Sequence, residues 1–498
     1  MKHSQLTRLL AVLLLLTSVT GMSASCGSGS TGGEETAPSA VSPDTAADAA
    51  EAEAEETEAE TTVDDLFVIG EHDYEGKTFA ILTTETQQYE YDAEEYTGEG
   101  VNDAIYDRNA AVAELLGITF DFVYRPGDWA NAANFQNLIT NSVMAQDGAY
   151  DIVSGMISCT QPIATSNYCL SVYDIPHINL NNPWWVSELQ NDLTVNGKLF
   201  GFIGDVSLSM YKGLSVIFAN QGIITDSGMD NPYELVKGNM WTLDTMTAMA
   251  GDIAFDSNGD GKIVYTDDLI GMTANEVVYR SIQASFDMHV IDIGEDGIPA
   301  VLPVTDAFAT AVEKLNGFWK SDSTYIVDGL AADKFVEGHS LFYMGKLESL
   351  DAMRDMEADY AILPFPKYDE NQAKYLTLIA TATQMYYIPV TTNDPELTGL
   401  TAEALSYYSY KNVVPAYYEV SLKNKYSRDE DTQEMLDIIR DGAVMPFEYC
   451  YSTTIAGNPW PNKAMSDSSI GNGNIASTVA AATPTWQANI DKIMKEFE

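Results

Sequence analysis

From Lys77 to Leu82 the chain is a short apolar run. Ile105, Val112, Leu115 and Leu116 then recur at helical spacing until Gly117, and Ile118, Phe120 and Phe122 alternate with Thr119 and Asp121. This predicts strand, helix, strand, with glycine at the helix end, where a left-handed residue is wanted. Such a unit implies a parallel strand pair joined by a right-handed crossover. The pattern repeats: Phe135, Leu138, Ile139 and Val143 form a helical face, Asp147-Gly148 ends it, and Tyr150 to Ser154 predicts a third strand.

An open α/β sheet follows, and in such sheets ligands bind outside the carboxyl ends of the strands. That rule selects Thr83 to Thr86, Trp129, and Gly155 to Ser158, with Thr84, Trp129, Met156 and Ser158 as candidate ligand contacts. From Gly213 the alternation resumes. Leu214 to Ala219 predicts a buried strand, and Leu243 to Ile253 and Asp306 to Trp319 predict helices. Ala361 to Pro364 and Met385 to Pro389 predict short strands, while Glu403 to Tyr410 and Glu430 to Ile439 predict helices. The segment after Gly213 is therefore expected to form a second α/β lobe, as suits a folded part of 433 residues, too long for a single core.

The amino-terminal pattern differs. Lys2 and Arg8 precede an apolar run from Leu9 to Leu16, and Ser23, Ala24 and Ser25 lead to Cys26. This is a signal peptide whose apolar core is too short to span a bilayer. The Cys and the Gly27-Ser28-Gly29-Ser30 that follows resemble a bacterial lipobox, with Ser23 where leucine is usual. The resemblance implies lipidation at Cys26 and a protein anchored outside the cytoplasmic membrane; ordinary cleavage with a free Cys26 is the alternative. Residues 27–65 carry twelve acidic and no basic residues, a composition that cannot offset the entropy of ordering and so predicts a self-repelling tether.

Residues 66–498 hold 62 acidic and 23 basic side chains, net −39. That excludes nucleic acid as a partner, because phosphate affinity needs clustered Lys and Arg. Cys159, Cys169 and Cys450 are odd in number; Cys159 and Cys169 can close a short loop worth about 3 kcal/mol, and three buried thiols are the alternative.

Several segments, in order, resemble the extracellular solute-binding proteins of ABC importers, in the sugar-binding branch with the type 2 periplasmic-binding fold. They are GEGVNDAIYDRN (98–109), Asn182-Pro183-Trp184-Trp185, Asn196-Gly197-Lys198-Leu199-Phe200, FVEGHSLF (335–342), ILPFPKY (362–368) and KYSRDEDTQEMLDII (425–439). The similarity covers nearly all of residues 66–498. It implies two discontinuous lobes, 66–205 with 360–413 and 206–359 with 414–498, and crossings near Gly204 to Lys212, Asp359 to Pro364 and Val414. A hinge would close the lobes on a carbohydrate, expected to be an oligosaccharide, and a permease would read the closed, monomeric receptor. The same fold can instead serve peptides or other solutes. A surface glycan-adhesion protein and a glycosidase are the rivals from other classes.

The resemblance gives aromatic faces a role against sugar rings. Of seven tryptophans, Trp129, Trp185 and Trp460 are candidate platforms, with only one of the adjacent Trp184 and Trp185 expected to reach ligand; Trp241, Trp319 and Trp486 are assigned to packing. Asp205 and Tyr211 lie at the first implied crossing, and Tyr343 follows the FVEGHSLF segment. Asp205 suits a sugar-hydroxyl acceptor or a turn residue equally.

One further motif matches an EF-hand-like calcium loop: Asp256, Asn258, Asp260, Gly261, Lys262 and Asp267 stand at positions 1, 3, 5, 6, 7 and 12. Asp267 replaces the usual Glu and has a shorter reach, so the alternatives are a structural calcium and an empty Asx-rich turn. No cofactor is otherwise required. Five scattered histidines without HExxH, and the lack of a P-loop or GxSxG, argue against an enzyme.

Overall fold

The computed structural model describes residues 62–498, apart from 92, 94, 276, 277, 279, 280, 328–331, 354, 355, 423–429 and 472. Cys26, the signal sequence and nearly all of the acidic stretch lie outside the described residues. Nine strands build two sheets: β1 (Lys77–Thr84), β2 (Ile118–Arg125), β3 (Ile152–Met156), β4 (Ser215–Asn220), β5 (Ile270–Asn275), β6 (Thr324–Val327), β7 (Ser340–Lys346), β8 (Tyr360–Leu363) and β9 (Gln384–Tyr387).

The first sheet has the order β9-β3-β1-β2. Lys77 to Thr84 pair in parallel with Ile118 to Arg125, and β9 runs antiparallel to β3. Helix α1 (Gly100–Leu116) links β1 to β2, and α2 (Ala132–Ala145) links β2 to β3. Gly117 ends α1 at φ 63°, where an added Cβ would collide with the Asp73 side chain. The end of α2 departs from expectation: Gln146, not Gly148, takes the left-handed position after the last turn. Helix α3 (Ile157–Ala164) follows β3 directly.

The second sheet has the order β8-β4-β7-β5-β6. Its strand β4 is buried at every position, as its unbroken apolar run requires of a strand covered on both faces. Helices α5 (Leu243–Ile253) and α6 (Asp306–Trp319) match the expected spans. Among the described residues no helix is long and apolar enough to cross a membrane.

Two crossings connect the sheets where the chain is described throughout. Helix α4 (Leu208–Gly213) leads into β4, near the first implied crossing. The second crossing differs from expectation. Tyr360–Leu363 belongs to the second sheet, where its four buried residues pair antiparallel with β4. The chain returns to the first sheet only at residues 379–383, between the short pairing of Thr377 and Leu378 with Ala443 and Val444 and the start of β9. The third passage runs from α7 (Pro395–Tyr408) through α8 (Val414–Leu422) to α9 (Glu430–Asp441), and its middle lies outside the described residues. Helix α10 (Ile475–Glu496) closes the chain around buried Trp486.

Candidate functional site

The loop after β2 carries Trp129 to the carboxyl end of the first sheet. Gly127 permits this path: an added Cβ would meet Thr84 Cγ2 at 2.5 Å and Phe135 at 3.0 Å. Asp128 then fixes the turn into α2 by accepting from the Asn131 backbone N–H at 3.0 Å and its side-chain amide at 2.8 Å. Trp129 is left 57% exposed. Beside it, the first turn of α3 is tied to the second crossing: Ile157 N–H donates to Thr383 O at 3.0 Å and Ser158 N–H to Thr381 O at 3.1 Å.

The opposite wall comes from residues 446–463. Two short helices, Phe447–Cys450 and Ser452–Ile455, pack near α3, and Thr454 Oγ1 donates to Gln161 Oε1 at 2.6 Å across the two halves. The loop that follows presents Trp460, with Lys463 Nζ 4.8 Å from its ring centroid. Ser452 Oγ donates to Asn462 Oδ1 at 2.7 Å and holds this loop to the helices.

Between these walls is a cavity of about 300 Å³, lined by Trp129 and Ser158 from the first sheet's loops, Thr381 from the crossing, Lys346 from the end of β7, and Thr453, Trp460 and Lys463 from residues 446–463. That volume is at the lower end of the roughly 300–1,000 Å³ usual for small-molecule sites. Thr453 Oγ1 is shielded from solvent and has no protein partner. A larger cavity of about 740 Å³ is lined by helical residues, among them Tyr410, Val414 and Arg440, and takes nothing from the strand-end loops.

Three of the nine expected contacts, Trp129, Ser158 and Trp460, thus meet in one cavity, and the other six are placed elsewhere. Thr84 is buried under Gly127 and its hydroxyl donates to Gln87 Oε1 at 2.6 Å. Met156 is 7% exposed, and its carbonyl accepts from Thr160 Oγ1 at 2.9 Å. Trp185 is buried, donates its indole N–H to Glu403 at 2.8 Å and borders a separate cavity of about 280 Å³ with Met210 and Arg440. Asp205 is also buried; its oxygens accept from Tyr211 OH at 2.7 Å and from Arg440 at 3.2 Å. Full burial keeps Asp205 out of the cavity, and these bonds make Tyr211 part of a clamp between α4 and α9. Tyr343 is buried within the second sheet, stacked on Phe218 at 5.9 Å.

Sequence reading missed Lys346, Lys463, Thr381 and Thr453. Lys346 did leave a signal, as the one charged residue ending an otherwise buried strand. The others come from loops that only the tertiary fold gathers.

In the 256–267 loop, Asp256 accepts from the backbone N–H of Gly259 and Gly261 at 2.7 Å each, Asn258 from Asp260 N–H and Asp260 from Lys262 N–H at 2.9 Å each. Buried Asp268, rather than its neighbour Asp267, closes the loop by accepting from Ser257 and Val264. Among the described residues no three His, Cys, Asp or Glu side chains gather as a metal ion requires. Cys159, Cys169 and Cys450 are buried free thiols, so the 159–169 bridge is not formed.

Solved structures of similar shape include the maltose/maltodextrin-binding domain MalE from Bdellovibrio bacteriovorus bound to maltotriose, 14% identical over 83% of this chain and 100% of that one, TM-score 0.50. A cyclo/maltodextrin-binding protein complexed with maltotetraose is 16% identical over 85% and 98%, TM-score 0.50. A sugar transporter from Rhizobium etli in an open conformation is 12% identical over 82% and 99%, TM-score 0.54. The fold is that of a two-lobed type 2 periplasmic binding protein. No protein-family model matches the chain, and no curated protein matches its sequence. The cavity between Trp129 and Trp460 is bordered by Ala380, Thr381 and Ala382, on the segment where the chain passes from the second sheet to the first.

Buried titratable groups predict how stability depends on pH. Burial pushes Glu90, whose Oε1 accepts from Ser209 N–H at 2.5 Å, up to about 7. Burial likewise raises Asp192 to about 7. For His289, burial acts downward, but Asp287 and Glu448 outweigh it and raise the group to about 10. Each group holds its proton more tightly folded than unfolded, so the stability it contributes is full below its unfolded value and is lost as pH rises through its folded one. Thermal midpoints should therefore fall between about pH 5 and about pH 8, and Glu90→Gln should flatten that slope. A midpoint that rises over the same range would contradict the assignment.

Proposed function

We propose that this chain is the solute-binding protein of an ABC importer, capturing a carbohydrate, in our reading an oligosaccharide, and delivering it to a membrane permease. Fold alone does not assign a ligand. The observation that carries the reading is the cavity itself, with an aromatic ring on each of two walls, Trp129 and Trp460, and Ser158 and Thr453 also in its lining. Apolar ring faces with a few fixed polar groups are what a sugar offers and requires. The neighbours crystallised with maltotriose and maltotetraose support the same class. Contacts from both lobes would favour a closed state, because only that state makes them all.

We also propose anchoring by lipidated Cys26 on the outer face of the cytoplasmic membrane, a monomer, and no catalysis. The described cavity lining holds no carboxylate, whereas a glycosidase requires a pair. The 256–267 loop is, on this reading, an Asx-turn connector that needs no calcium.

The test is a thermal-shift screen of the mature chain against mono- and oligosaccharides, with and without calcium, and small-angle scattering on any hit. A matching sugar should raise the midpoint by mass action and compact the particle, while calcium should do neither. If no carbohydrate shifts the midpoint, or a hit is hydrolysed, the reading fails. Cys26→Ser should move the protein from the membrane fraction to the soluble one; unchanged fractionation would remove the anchor.

A further inference from the structure

Acidic residues outnumber basic ones by 74 to 25 in this chain, yet the described lining of the cavity between Trp129 and Trp460 contains two lysines and no carboxylate. The lysines come from separate segments. Lys346 ends β7 with its side chain 18% exposed, and Glu348 stands 3.3 Å from its ammonium. Lys463 lies over the Trp460 ring, with no carboxylate within ion-pair distance among the described residues. Its charge therefore stands beside a ring surface offered to ligand.

The surroundings strengthen that charge. The cavity is floored by apolar and hydroxyl groups, Leu378, Ala380, Tyr449 and Thr453 among them, and lies in a protein whose remaining surface repels anions. In a partly desolvated cleft an ammonium acts on a bound charge far more strongly than in water. An uncharged sugar would leave the Lys463 ammonium partly desolvated with no charged partner gained in exchange, a cost when polar groups are left unpaired, whereas Lys346 already has Glu348. A carboxylate or sulfate on the sugar supplies the partner, while Trp129 and Trp460 take the ring faces.

We infer that the ligand is an acidic carbohydrate, a sugar unit bearing a carboxylate or sulfate, with Lys463 and Lys346 selecting the charge. This rests on the carbohydrate-binding reading and narrows it. The whole-molecule charge slows the approach of such a ligand, so the preference must be read in equilibrium affinity rather than in association rate.

Calorimetry with matched pairs tests it: trigalacturonate against galactotriose, and a sulfated chondroitin disaccharide against its desulfated form, each at one fixed ionic strength. The acidic member of at least one pair should bind about tenfold tighter or more than its neutral counterpart. Lys463→Gln should erase most of that preference, and Lys463→Arg should retain it. The trigalacturonate and chondroitin arms separate carboxylate from sulfate as the source of the charge. Neutral members binding as well as acidic ones would overturn the inference and leave carbohydrate binding standing. Acidic preference that survives both Lys463→Gln and Lys346→Gln would overturn the assignment of the two lysines. If no member of either pair binds while neutral sugars from the wider screen do, the inference is equally overturned.

Discussion

Trp129→Ala and Trp460→Ala are each expected to weaken binding of a matching carbohydrate by about 30- to 150-fold, corresponding to about 2–3 kcal/mol for a central aromatic contact. Both variants should remain folded, for different reasons. The Trp129 ring is 57% exposed, so its removal leaves little unfilled volume. Trp460 stands in a loop held from elsewhere, by the bond from Ser452 to Asn462 and by the packing of Trp486 near Gly457, so the loop keeps its path without the indole. Trp185→Ala supplies the contrast: it empties a buried site and should lower the melting point with no selective effect on ligand. Titration calorimetry on the three variants separates these outcomes. Full affinity in both Trp129→Ala and Trp460→Ala would show that the cavity between the lobes is not the binding site.

How much of this was legible in the chain depends on the range of the interaction. Helices α5 and α6 have a polar face and an apolar stripe, and their spans were readable to the residue. Helix α7 was not, and only its part from Glu403 onward was anticipated. Residues Leu397 to Tyr407 are buried on every side, so the polar half of the period is missing, although Asp394 and Pro395 mark its start as N-cap and first-turn proline. Strand-end topology pointed to Trp129 and Ser158 because that rule needs only strand order. It also selected Thr84 and Met156. Whether a residue at a strand end faces the cleft or supports the loop over it is settled by side-chain direction and by neighbours such as Gly127, which lie beyond a local pattern. Tyr360–Leu363 illustrates the same limit, since four apolar residues suit either sheet and only the partner strand β4 decides.

Glu403→Ala is expected to cost about 3–5 kcal/mol of folding stability, since it removes one carboxylate on which four donors converge. Oε1 accepts from Asn182 Nδ2 at 2.6 Å and Trp184 Nε1 at 3.0 Å; Oε2 accepts from Trp185 Nε1 at 2.8 Å and the Asn179 backbone N–H at 3.3 Å. Glu403 is 4% exposed, so in the native chain these donors depend on the carboxylate rather than on bulk water. Burial pushes its carboxyl upward while these four donors pull it back, which is why an acid can be held there at all. Two indole N–H groups and one side-chain amide would be left unpaired in the core, each costing about 1–3 kcal/mol before relaxation. Glu403→Gln keeps one acceptor oxygen but turns an NH2 toward two donors, and should fall between the alanine variant and the native chain. The measurement is the urea midpoint, followed by tryptophan fluorescence because Trp184 and Trp185 report on this cluster directly. An alanine variant unfolding within about 0.5 kcal/mol of the native chain, the range of an ordinary surface change, would mean that this cluster does not hold the first lobe together. The adjacent tryptophans would then again be open to a role in binding.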